Sequence, residues 1–239
     1  MSKYSKTYLF AEISVLAKYN HNYLEKQCVD YVTDKEPRLV IEVTEEDIVK
    51  EKMTAEDGEM YPDGYLESLA FYRKFCEEVA LNNIILFHSA AVEVDGKAYL
   101  FTAPSGTGKT THIALWKYIH GEKMTIVNGD KPLLKITADE ITVHGTPWDG
   151  KERQSTNTSA KVAGICILTR GQENKIKRIA SSEALGTLMS QTFRPAGAEN
   201  LKKMVEGVIA LSNRVPIWRL ECNISEEAAK VSYEAMSRG

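Results

Sequence analysis

Residues 90–111, AAVEVDGKAYLFTAPSGTGKTT, narrow the fold more than any other stretch of this chain. Two runs rich in β-branched and aromatic residues flank Asp95-Gly96, the pair that most favours a two-residue hairpin turn. The second run leads directly into a glycine-rich segment and then into THIALWKYIH. There Ile113, Trp116 and Ile119 recur at helical spacing. Parallel neighbours need a long crossover, usually a helix, whereas a two-residue turn joins only antiparallel strands. A purely parallel sheet is therefore excluded. PLLKITADEITVHG, turning around Ala138-Asp139, and GICILTRGQENKIKRIA, turning near Gly171–Asn174, read as further hairpins. The expected class is α/β with a mixed, largely antiparallel sheet.

The segment APSGTGKTT, residues 103–111, matches the phosphate-loop pattern G-x-x-x-x-G-K-[ST] except that Ala103 stands at the first position. Such a loop offers backbone N–H groups and the positive end of a helix dipole to one anion. Ser105, Gly106, Thr107, Gly108, Lys109, Thr110 and Thr111 are the expected nucleotide contacts. Gly106 and Gly108 let the backbone approach phosphate without a Cβ in the way. Lys109 would reach the terminal phosphates of ATP, and the Thr110 hydroxyl would hold Mg²⁺. Ala103 ends a strand, where ordinary dihedrals suffice.

With Asp95-Gly96 as the turn, Val94 faces Lys97, Val92 faces Tyr99 and Ala90 faces Phe101. The same step sets His88 beside Ala103, at the mouth of the loop. A lone histidine is more often a satisfied structural group, but this register favours an active-site role. TIVNGD then reads as a strand ending in Asp130. A carboxylate there can bind Mg²⁺ or accept a proton from an attacking hydroxyl.

The remaining chain sets limits. With 239 residues it has room for one large domain and a smaller lobe. Residues 1–83 read as an N-terminal α+β lobe: strands in YLFAEISV and PRLVIEVT, a short helix opening at Thr44, and a strong helix over 62–82. Residues 84–239 form the loop-bearing domain, with helices in SSEALGTLMSQTF, ENLKKMVEGVIALSNR and SEEAAKVSYEAMS, the last capped by Ser225, and a strand in PIWRLEC. A net charge of -3 with scattered Lys and Arg gives no footprint for nucleic acid. No apolar run suits a membrane span, and the first residues lack the pattern of a secretory signal. Four cysteines far apart in sequence read as reduced thiols, so a cytoplasmic location is expected.

FHSAAVEVDGKAYLFTAPSGTGKTT, followed by IVNGDKPLL and HGTPWDGKE, resembles the HPr kinase/phosphorylase catalytic domain. It resembles in particular the shorter HPr-kinase-like proteins found near peptide-modification genes, whose fold is distantly related to phosphoenolpyruvate carboxykinase. The likeness spans roughly residues 84–222. It implies a P-loop kinase domain that phosphorylates a serine or threonine of a small protein or peptide. It also implies that His88, Lys109 and Asp130 are catalytic, that Thr110 and Asp130 bind metal, and that the chain can form a homo-oligomer. Two departures stand out. The family's aspartate pair falls on Gly129-Asp130, leaving only the second acid, and its Glu-x-Arg-Gly signature falls on Thr142-Val143-His144-Gly145. Thr110 with waters, or an acid such as Asp149 or Glu152, would have to compensate for the missing acid.

Beyond the family core, HGTPWDGKERQSTNTSA reads as a shaped polar loop. Arg153 and Asn157 there, and Arg194 in TFRP, are candidate contacts for phosphate or substrate, and Trp148 is a candidate for stacking on a ligand or for packing.

Overall fold

The computed structural model describes residues 2–54 and 58–238, and the chain divides into two compact units, Met1–Asn82 and Asn83–Gly239.

In the first unit, YLFAEISV is not one strand. It breaks at Ala11 and Glu12, both with positive φ (44° and 68°), into β1 (Tyr4–Phe10) and β2 (Ile13–Tyr19). A tight reversal of this kind matches the natural twist of the paired strands. After α1 (Tyr23–Gln27), β3 (Leu39–Glu42) adds parallel to β2, giving the order β1-β2-β3. Next comes α2 (Glu45–Thr54), whose start is fixed by reciprocal bonds. The Thr44 N–H donates to the Asp47 carboxylate (2.9 Å), and the Asp47 N–H donates back to the Thr44 hydroxyl (3.4 Å). The long helix α3 (Asp63–Val79) buries Leu66, Ala70, Phe71, Phe75 and Val79, and the Phe75 ring lies edge-on to Phe10 at 5.4 Å. Among these apolar residues Glu67 is fully buried, and it accepts the N–H groups of Asn20 (2.6 Å) and His21 (2.8 Å).

The second unit contains β4 (Ile84–Leu86), β5 (Ala90–Val94), β6 (Lys97–Thr102), α4 (Lys109–His120), β7 (Met124–Asn128), β8 (Leu133–Ile136), β9 (Ile141–His144), β10 (Ser159–Arg170), β11 (Lys175–Arg178), α5 (Ser181–Ser190), α6 (Ala198–Arg214), β12 (Ile217–Cys222) and α7 (Glu226–Ser237). Its nine strands form one sheet in the order β4-β8-β9-β10-β6-β5-β7, with β12 paired to β10 and β11 to β12. Only β10–β6 and β10–β12 are parallel; every other pair is antiparallel. The structure is thus a mixed α/β fold with a mostly antiparallel sheet.

The Asp95-Gly96 turn has both φ values positive (53° and 78°), and β5 pairs with β6 as Val94↔Lys97, Val92↔Tyr99 and Ala90↔Phe101, the register expected from sequence. The β8–β9 hairpin also turns at Ala138-Asp139, with Ile136 opposite Ile141. The expected β10–β11 hairpin is wrong. β12 lies between those strands, parallel to β10 and antiparallel to β11. The reason is burial: Ile217, Trp218 and Leu220 on β12 are all buried, whereas KIKR on β11 exposes three of its four residues and suits an edge.

Alternation along the central strands feeds two cores. On one face Leu100, Val143, Ile165 and Ile167 pack beneath α5 and α6 through Leu188, Met204, Val208 and Leu211. On the other, Tyr99, Phe101, Cys166 and Leu168 pack beneath α4 and α7 through Ile113, Trp116, Ala229 and Met236. Ser225 caps α7 by accepting the Ala228 N–H. All four cysteines are free, and among the described residues no helix is long and apolar enough to cross a membrane.

Candidate active site

The topology gathers several chain ends at one edge of the nine-stranded sheet. β6 and β10 run parallel, and β7 runs the same way because antiparallel β5 separates it from β6. The glycine loop after β6, the Asn128–Lys131 turn after β7 and the end of β10 therefore share that edge, where β5 also begins. Loops at the carboxyl ends of such strands commonly carry ligand sites.

In the loop, Gly106 and Gly108 have φ of 75° and 119°, and a Cβ at either would meet nothing within 4 Å, so the backbone faces open space. Gly108 is the N-cap of α4, and no side chain caps that helix end. Its first-turn amides are thus left for an external acceptor. Thr107 turns inward on the loop: both its N–H (3.3 Å) and its hydroxyl (2.8 Å) bond the Pro104 carbonyl. Ser105, Thr110 and Thr111 are exposed. Lys109 is buried, and its ammonium donates to the Ala103 carbonyl at 2.9 Å. Burial lowers the pKa of Lys109, and the Asp130 carboxylate opposes that shift.

His88 and Asp130 meet directly, with Nε2 3.0 Å from Oδ1. The backbone explains the meeting. Pairing of β5 with β7 brings the start of one beside the end of the other, and the Ser89 N–H donates to the Asp130 carbonyl (3.1 Å). Thr102, next to the loop, donates its hydroxyl to the His88 carbonyl (2.9 Å). The turn carrying Asp130 is built around buried Asn128. Its Oδ1 accepts the N–H groups of Asp130 (2.8 Å) and Lys131 (2.7 Å), while its Nδ2 donates to the Thr146 carbonyl (2.8 Å). Burial alone would push the Asp130 carboxyl up. The hydrogen bond from His88, then the charges of Lys131, His88 and Lys109, outweigh it and hold Asp130 below the ordinary carboxylate value.

Gly129, which precedes Asp130, is closely packed. A Cβ on Gly129 would stand 3.2 Å from the Asp149 carbonyl and 3.3 Å from that of Gln154. The loop after β9 is clasped to this turn by the Gly129 N–H on the Gln154 carbonyl (2.9 Å) and the Thr156 N–H on the Val127 carbonyl (3.2 Å). That clasp brings Asp149 close to Asp130. Burial raises the Asp149 carboxyl, the Ser155 hydroxyl (2.9 Å) opposes this, and repulsion from Asp130 adds to the rise.

The other sequence candidates scatter. Arg153 and Asn157 are exposed on the same loop, and Arg153 acts on Asp149 through its charge. Trp148 is 3% exposed, which leaves it no open face for stacking. Arg194 is exposed and is carried away from His88: the His88 N–H bonds the Gln191 carbonyl, and the Phe87↔Thr192 bridge continues in the opposite direction. Sequence reading missed Arg170, the last residue of β10, whose guanidinium donates to the carbonyls of Gly106 and Thr107. Its reach to the loop follows from the parallel pairing of β10 with β6, which no local signal in the sequence announces.

No protein-family model and no curated protein matches the chain. Among solved structures it is similar to the HPr(Ser) kinase/phosphatase from Coxiella burnetii, at 11% identity and a TM-score of 0.36, over 64% of this chain and 93% of that one. The likeness is a distant structural one.

Proposed function

We propose that the second unit is an ATP-dependent kinase that transfers the γ-phosphate to a hydroxyl, that of a serine or threonine in a small protein or peptide. The observation that carries this reading is the pairing of an ionised Asp130 with His88, 3.0 Å apart, at the sheet edge that also bears the glycine loop.

In this reading the free amides of the loop and of the first turn of α4, together with the Lys109 ammonium, bind the β- and γ-phosphates, with Lys109 exchanging the Ala103 carbonyl for phosphate oxygen. His88 occupies one oxygen of Asp130, so the other accepts the proton of the acceptor hydroxyl. Held in its charged form, Asp130 is free to accept a proton, while the same contacts with His88, Lys131 and Lys109 lower its basicity. Near the transferred group, the His88 ring also helps to orient the acceptor.

The donor set suits Mg²⁺ held largely by the nucleotide, since that ion commonly takes only one or two carboxylates besides phosphate and water. Thr110 and Asp130 are the residues that would hold it; among the described residues no group of three His, Cys, Asp or Glu forms a cage. When bound, Mg²⁺ would neutralise charge on the phosphates.

A rival reading, a nucleotide sensor that transfers nothing, is favoured by the packing of Gly129, which leaves the turn a single acid. The experiment is incubation of the protein with γ-labelled ATP, Mg²⁺ and candidate peptides, alongside nucleotide-binding measurements. Asp130→Asn is expected to bind ATP and lose transfer; Lys109→Ala is expected to lose binding. Near-normal transfer by Asp130→Asn removes the base assignment. Binding by the unaltered protein without transfer to any peptide or small-molecule acceptor favours the sensor.

A further inference from the structure

We propose that Arg170 is the positioning residue of the glycine loop, setting its affinity for phosphate without touching the phosphate itself. The inference rests on the reading of residues 103–111 as a phosphate site.

The parallel pairing of β10 with β6 runs through Ile167↔Thr102. Three residues further on, Arg170 is level with the loop. Its Nε and Nη2 donate to the Thr107 and Gly106 carbonyls, two successive acceptors bridged by one planar fork. In a trans peptide unit the C=O and the following N–H point in opposite directions. Fixing the Gly106 carbonyl therefore fixes the Thr107 N–H, which closes the turn onto Pro104 at 3.3 Å. Fixing the Thr107 carbonyl likewise fixes the direction of the Gly108 N–H. Both glycines of this segment have positive φ, and a Cβ would meet nothing near either one. The loop thus has little side-chain packing to hold it, and the guanidinium supplies an external brace. Its charge also stabilises two carbonyl dipoles that would otherwise be free to swing toward an anion and repel it.

The brace is itself anchored. Arg170 pairs with Cys222 across the parallel β10–β12 ladder, and the Gly171 N–H bonds the Cys222 carbonyl at 2.9 Å. The arginine backbone is therefore fixed by a sheet strand while its side chain, exposed at the rim, holds the loop.

The test compares the full chain with Arg170→Ala and Arg170→Lys. Dissociation constants are measured for ATP, ADP and inorganic pyrophosphate, together with the urea midpoint of each nucleotide-free protein. The Ala variant is expected to bind all three phosphates more weakly by on the order of tenfold or more, the effect of one charged hydrogen-bonding group. Its urea midpoint should stay close to that of the unaltered protein, because the removed side chain is exposed. The Lys variant, with a point charge in place of the fork, should recover part of the affinity. A merely structural role would lower the midpoint and would not distinguish Lys from Ala in phosphate affinity at equal stability. If the unaltered protein binds phosphates and Arg170→Ala binds them equally well, the inference falls and the phosphate site stands. If the unaltered protein binds none of the three, both fall.

Discussion

Acidification should weaken the second unit through His112, a residue that does no chemistry in the proposed reaction. His112 lies in the first turns of α4, 3% exposed, with its ring 4.7 Å from Phe101. Its Nε2 is 3.1 Å from the Ser232 hydroxyl of α7, which also receives the Trp116 Nε1–H (2.8 Å) and donates its own proton to the Ala229 carbonyl (2.9 Å). With the hydroxyl proton committed, His112 acts as the donor in its neutral form. A second proton has no acceptor in that contact, and burial lowers the pKa from 6.5 to about 4. The unfolded chain thus binds the proton more readily than the folded one between those values. Stability is full above pH 6.5, falls as pH drops through the window, and levels off below pH 4. For one such group the loss is about 2 kcal/mol at pH 5 and roughly 3 kcal/mol at pH 4. At pH 5 that amounts to a fall of about 1 M in the urea midpoint. All three tryptophans lie in the second unit, so their fluorescence follows its unfolding alone. The comparison is with His112→Gln, which keeps a donor toward Ser232 but cannot take a proton. The variant's midpoint should fall less between pH 7 and pH 5 by the stated amount. Parallel curves for the two proteins would refute the reasoning, because every other titrating group is common to both.

Gly129→Asp should destabilise the second unit, since its Cβ would stand 3.2 and 3.3 Å from two backbone carbonyls that would have to give by a few tenths of an ångström. A loss of about 1–3 kcal/mol in urea unfolding is expected, and an unchanged midpoint would show that the loop after β9 yields freely. Asp149→Asn should stabilise the protein at pH 7. Burial and then repulsion from Asp130 raise the Asp149 carboxyl, so its ionisation opposes folding at any pH above its folded pKa. The gain should shrink as the pH is lowered through that value, and a gain that persists unchanged in acid would point to a different cause.

How much of this was legible in the sequence depends on whether local chemistry or long-range pairing decides a feature. The Asp95-Gly96 hairpin was legible down to its register, because positive φ at two adjacent residues fixes the turn and the turn fixes every pair behind it. The same counting set His88 opposite Ala103; the ladder instead ends at Ala90↔Phe101, and His88 is held at the sheet edge that bears the loop by the Thr102 hydroxyl on its carbonyl and lies beside Asp130. That second neighbour comes from the β5–β7 pairing, in which Ala91 faces Asn128 and a bulge follows, a contact that no local signal announces. The turn in YLFAEISV was missed because Ala11 and Glu12 are not residues that advertise positive φ. The β10–β11 error arose differently: adjacent strands in the chain were taken as adjacent in the sheet, while the more apolar β12, nearly 40 residues further on, took the central place. What delivers Arg170 to the loop carbonyls is the separate parallel pairing of β10 with β6, which sequence adjacency also did not announce. The residues that define the loop could be recognised from their spacing, but the residue that braces it could not, since its role depends on which strand lies next to β6. Strand order is therefore the information that turns a list of motif residues into groups gathered at one edge of the sheet.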